Sequence, residues 1–152
     1  MRMIILVIWL IISQGHLCKG QHLIGIEKNQ VNNIVKKELS GFNLDNSTQN
    51  KEFNYLRFVN RVGTITLFVF FDQNNISTST RMVCDYSELG SVLGDLDAKY
   101  KKRGQNNWEY SVHNELFMVN LEKKEWYFVV AVKKKPAGTT GTKRLWWWKQ
   151  RN

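Results

Sequence analysis

Residues 64–84 read TITLFVFFDQNNISTSTRMVC, and this stretch decides the fold class. Residues 64–71 are apolar at nearly every position, which predicts a central strand covered on both faces. Residues 72–75 (DQNN) are turn formers. Residues 76–84 then alternate. Ile76, Thr78, Thr80, Met82 and Cys84 fall on one face, and Ser77, Ser79, Arg81 and Val83 on the other. Two strands across a short turn read as a hairpin.

Working outward, residues 53–59 predict a preceding strand and residues 60–63 the turn between. Residues 40–51 are polar and read as a loop. Before it, Ile24, Val31, Ile34, Val35 and Leu39 stand three or four apart, the spacing of an amphipathic helix, strongest over 27–39. Downstream, residues 87–103 predict a second helix. Ser87 is its expected cap, and Leu89, Val92, Leu93, Leu96 and Tyr100 form its apolar stripe. Lys101, Lys102 and Arg103 suit a helix C-terminus, and Gly104 suits a left-handed stop. Gly90 and Gly94 share a face, which predicts close approach to a sheet. Further on, Trp108, Tyr110 and Val112 alternate with Glu109, Ser111 and His113, which places His113 on a polar strand face. Residues 116–121 and 126–132 flank a charged turn and read as a second hairpin.

No internal repeat is visible in the sequence. Helix, three strands, helix, then two or three strands predicts a small two-layer α+β domain. Its sheet is mainly antiparallel and it carries two helices. The order is similar to that of cystatin-like and nuclear-transport-factor-like sheets. No motif of either family occurs, so the likeness is one of shape and implies no function.

Composition bounds the rest. The chain has 152 residues, enough for one domain. Hydrophobic residues at 43% exclude wholesale disorder, and charged residues at 23% exclude a multi-span membrane protein. Two cysteines exclude a disulfide scaffold. At the N-terminus, Arg2 precedes nine apolar residues, 4–12, and small residues follow. That is the layout of a cleavable secretory signal, and its apolar part is too short to span a bilayer. The division expected is residues 1–20 as signal peptide, 21–132 as one α+β domain and 133–152 as a basic tail, with the protein secreted. Cleavage after Gly15 would keep Cys18 available to Cys84; cleavage after Gly20, the favoured cut, would remove it.

Charge is distributed unevenly. Residues 21–132 hold 13 basic and 13 acidic side chains. Residues 133–152 hold seven basic residues and no acidic one: Lys133, Lys134, Lys135, Lys143, Arg144, Lys149 and Arg151. Trp146, Trp147 and Trp148 stand among them. Indole rings settle at lipid headgroups while cations meet phosphates, so this segment suits an anionic membrane surface. The same chemistry suits a sulfated glycan or a nucleic acid, and secretion favours the glycan. Lys143-Arg144 is also a dibasic processing pair, and the bland reading is a solvated terminus folded back on the domain.

Chemistry is sparse elsewhere. The three histidines, His16, His22 and His113, have no metal-ligand spacing, and no CxxC or GxSxG occurs. No catalytic residue, metal or cofactor is expected, and Cys84 reads as a buried structural thiol. Asn46-Ser-Thr and Asn75-Ile-Ser are glycosylation sequons. The expectation is a secreted, non-enzymatic binding protein with a cationic aromatic tail for anionic membrane or glycan surfaces and a protein partner not identified by sequence. The alternative is a secreted inhibitor or host-directed effector whose loops, 40–51 and 72–75, engage a protein partner.

Overall fold

A computed structural model describes residues 23–46 and 52–136. Helix α1 (Lys28–Glu38) is followed by strands β1 (Phe42–Leu44), β2 (Tyr55–Asn60), β3 (Ile65–Phe71) and β4 (Ser77–Asp85). A 3-10 turn (Tyr86–Glu88) leads into helix α2 (Leu89–Lys99). Strands β5 (Lys101–Gly104), β6 (Asn107–Val112), β7 (Glu115–Lys123) and β8 (Tyr127–Lys134) complete the chain order. The eight strands form one antiparallel sheet in the order β1-β2-β3-β4-β8-β7-β6-β5. The fold is α+β, and the two strand-rich parts of the sequence share a single sheet.

That strand order reads as a duplication. Each half is a helix followed by a four-strand meander, and the halves meet where β4 pairs with β8. Both helices have 11 residues, and the step from Lys28 to Leu89 equals the step from Glu38 to Lys99. Val31 and Val35 of α1 correspond to Val92 and Leu96 of α2, and all four are fully buried. Over these helices Val31 and Val92 are the one identical pair. The repeat is therefore one of architecture, carried by apolar spacing rather than by residue identity.

Both helices pack into one core with the alternate residues of the sheet. Phe58, Ile65, Leu67, Val69, Cys84, Trp108, Val119, Leu121, Phe128 and Val130 form its inner face. The apolar stripe of α2 is as expected: Val92 and Leu96 are buried, and Leu89, Leu93 and Tyr100 pack against the core. Cys84 is buried, as a structural thiol should be.

Several local expectations are corrected. The second helix stops at Lys99, because Tyr100 turns extended at φ −125° and ψ 154°. Lys101, Lys102 and Arg103 then belong to β5, where Lys102 lies over the Trp108 ring and the strand pairs with β6. Gly104 is a strand residue, and Gly25 and Gly63 hold the positive-φ glycine positions among the described residues. Ser87 does not cap α2; it lies in the 3-10 turn, which Asp85 caps, its carboxylate accepting from the Ser87 amide at 2.8 Å. That amide bond is the main reason its acidity is strengthened below the ordinary carboxylate pKa. A Cβ placed on Gly90 or Gly94 would meet nothing within 4 Å, so no close approach explains either glycine. His113 sits in the β6–β7 turn at φ 48°, beside Asn114 at 64°, rather than in a strand. Such paired left-handed residues match the right-handed twist of a hairpin.

Two differences bear on function. The first is a β-bulge opposite the Phe70–Phe71 step: Phe70 faces Ser79 and Phe71 faces Ser77, leaving Thr78 unopposed. The extra residue reverses the alternation, so Ser77 is buried where Ile76 and Thr78 were expected. Ser77 accepts from the Ile26 amide and donates to the Leu23 carbonyl, which anchors the entry to α1 on the sheet. The second concerns β3. Its inner residues are buried, but Thr66, Phe68 and Phe70 on its other face remain half-exposed. No described element covers that outer face.

Candidate functional surfaces

Three surfaces stand out, and the strand directions place them relative to one another. The first is the outer face of the sheet. The pairing sets Ser79, Lys133, Met118, Glu109 and Lys101 side by side on β4, β8, β7, β6 and β5. Arg81, two residues from Ser79, shares that face, and its guanidinium lies 5.6 Å from the centre of the Phe70 ring. Phe68, Phe70 and Tyr55 form a cluster of mutually touching rings beside it.

Lys135 continues this face beyond β8. Its amide donates to Leu116, and its ammonium lies 3.5 Å from Glu109. Arg103 reaches the other oxygen of Glu109. Burial disfavours the Glu109 carboxylate, but the Arg103 bond and charge, aided by Lys135, outweigh it and lower its pKa. Arg103 and Lys135 thus bind the Glu109 carboxylate, Lys101 stands opposite Glu109 on β5, and Lys133 and Arg81 lie farther along the same face, on β8 and β4.

This changes the reading of the basic run. The domain was expected to end at Val132, with Lys133, Lys134 and Lys135 in a tail. Instead Lys133 and Lys134 are strand residues, and Lys134 pairs with Glu115. Sequence reasoning missed that Lys101 and Arg103, assigned to a helix end, would share a sheet face with Lys133 and Lys135. Residues 101–104, Lys-Lys-Arg-Gly, are polar throughout and all exposed, so no alternation marked them as a strand. Lys143, Arg144, Trp146, Trp147, Trp148, Lys149 and Arg151 lie outside the described residues, as does the expected signal peptide.

The second surface joins the two loops singled out in the sequence. Residues 40–51 are not all loop, since β1 lies within them; the end of β1, the start of β2 and the 72–75 turn lie at the same end of the sheet. Asn54 ties them together: its amide donates to Asn75 Oδ1 at 2.9 Å and to the Asp72 carbonyl, while its own oxygen accepts from Lys28 at 2.6 Å. An open groove of about 480 Å³ runs here, lined by Glu27, Lys28, Asn29, Asn74 and Asn75. Asn46 and Asn75, the sequon asparagines, are both exposed at this end.

The third surface is the opposite end of the sheet. Val62 at the β2–β3 turn is 77% exposed and Trp126 at the β7–β8 turn is 78% exposed. Tyr86 and Tyr127 lie between and beside them, both exposed, and Tyr86 bonds the Lys124 carbonyl. Four of the five exposed large hydrophobics among the described residues thus gather at one end, the exception being Phe53.

Among the described residues there is no group of His, Cys, Asp and Glu fit to hold a metal ion. No described helix is long and apolar enough to cross a membrane. No protein-family model, curated protein or solved structure matches the chain.

Proposed function

We propose that this is a secreted binding protein that holds to anionic surfaces, membrane or glycan, through a cationic face of its sheet extended by the basic, Trp-rich segment 137–152. One observation carries the reading. Lys133 and Lys135 share one sheet face with Lys101, Arg103 and Arg81, and they lie at the end of β8 from which that segment leaves. Each cation near an anionic surface contributes about 1 kcal/mol, so their sum, not any single residue, holds the protein there. Nothing in this reading needs bond chemistry, so the role is non-enzymatic.

The test compares the full chain with one ending at Pro136, a cut that leaves β8 whole. Circular dichroism confirms that both are folded. Binding to heparin and to anionic vesicles is then measured at low and high salt. The full chain should bind at low salt and weaken steeply as salt rises. The shorter chain should bind more weakly, with a shallower salt slope. Salt-insensitive binding by both chains would defeat the proposal.

A protein partner is the second reading, favoured by the exposed Val62, Tyr86, Trp126 and Tyr127. Exposed aromatics gathered in one place mark interaction sites. On this reading the contact lies at that end rather than at loops 40–51 and 72–75. Trp126→Ala should then leave the unfolding midpoint unchanged and weaken capture of the partner at least tenfold. Unchanged capture would dismiss it.

A further inference from the structure

We infer that the outer face of the sheet is a track for a linear sulfated polysaccharide, which crosses the strands from Arg81 to Lys101. The inference rests on the anionic-surface reading and names its ligand.

The spacing of the charges is the first argument. Ser79, Lys133, Met118, Glu109 and Lys101 succeed one another on five adjacent strands, with Arg81 at the β4 end. Neighbouring strands lie about 4.8 Å apart, so the line is roughly 19 Å long. Cations spread over that length, Arg81 on β4, Lys133 on β8 and Lys101 on β5, match a chain with repeating anions better than a single compact anion. Glu109 interrupts the line, but Arg103 and Lys135 both bind it and leave the track net positive. Arg81 supplies a planar fork of donors, the geometry suited to paired oxygens of an anion.

The apolar residues argue for sugar rather than lipid. Phe70, whose ring lies beside Arg81, and Met118, between Lys133 and Glu109, are half-buried on this face. Recessed in this way, they offer an apolar floor to a sugar ring beside the sulfates rather than side chains that project into a bilayer. The two most exposed large hydrophobics among the described residues, Val62 and Trp126, are in turns at the end of the sheet and not on this face.

The experiment uses the full chain and two double variants, Arg81→Ala/Lys101→Ala and Lys36→Ala/Lys37→Ala. All four side chains are exposed, and the second pair lies on α1, on the opposite side of the sheet. Size-defined heparin oligosaccharides are titrated at several salt concentrations, with anionic vesicles and single-stranded oligothymidine as competitors. The track predicts at least a fivefold loss for the Arg81/Lys101 variant and a slope of log K against log salt shallower by roughly one to two. The α1 variant, with the same charge change, should lose less than twofold. Equal losses in the two variants would overturn the track while leaving the anionic-surface reading standing. So would tighter binding of the full chain to vesicles or oligothymidine than to heparin. Failure of the full chain to bind heparin or vesicles at all would overturn both.

Discussion

Trp108 is almost wholly buried, and its indole N–H donates to Asp97 Oδ1 at 2.7 Å. Lys102 binds the same carboxylate at 3.0 Å and lies over the indole ring. Three residues thus join α2, β5 and β6 at one point. The Trp108 bond, then that of Lys102, holds the Asp97 carboxyl below its ordinary pKa. A carboxylate whose pKa is lower in the fold adds stability that is fully present above its unfolded pKa of about 4, and that contribution is lost as pH falls below this value through the lower folded pKa. Asp97→Ala should therefore lower the urea midpoint at pH 7, and the gap from the parent chain should narrow by pH 3. A gap that is constant with pH would show that the loss is one of packing alone. Trp108 was legible in the sequence as the first residue of an alternating run. Its partner was not, because Asp97 reaches it only through the way α2 lies on the sheet.

At the level of elements, α2 carries a defect that packing does not explain. Gly90 and Gly94 are exposed, and a methyl group at either would touch nothing. Glycine inside a helix costs about 0.5–1 kcal/mol relative to alanine. Gly94→Ala should raise stability by about that amount, read as a higher unfolding midpoint with an unchanged denaturant slope. A lower midpoint would mean that the position has a use the packing does not reveal. The apolar stripe of α2 was legible because a helix repeats its buried face every three to four residues. Its end was not, because Lys101, Lys102 and Arg103 satisfy a helix C-terminus as well as they satisfy an edge strand. Charged residues on β5 also discourage pairing with another sheet. The bulge at Thr78 was hidden for a similar reason: serines and threonines alternate in residues 77–80, so either phase looks half-polar.

Over the described residues, the duplicated plan gives the sheet one face covered by helices and one that no described element covers. The helices of both halves crowd the inner face. On the first half the outer face carries Tyr55, Phe68 and Phe70; on the second it carries Glu109, paired with Arg103 and Lys135. Apolar character on both sides of β3 was legible in the sequence, and it pointed to a cover that no described element provides. The convergence of Lys101 and Arg103 with Lys133 and Lys135 was not legible, since their nearness depends on strand order. The most direct measurement maps backbone amide shifts of the full chain during titration with a heparin-derived oligosaccharide. The account predicts shifts along β4, β8, β7, β6 and β5 around Arg81, Lys133, Glu109 and Lys101. Shifts confined to α1 around Lys36 and Lys37, or to the Trp126 end, would contradict it.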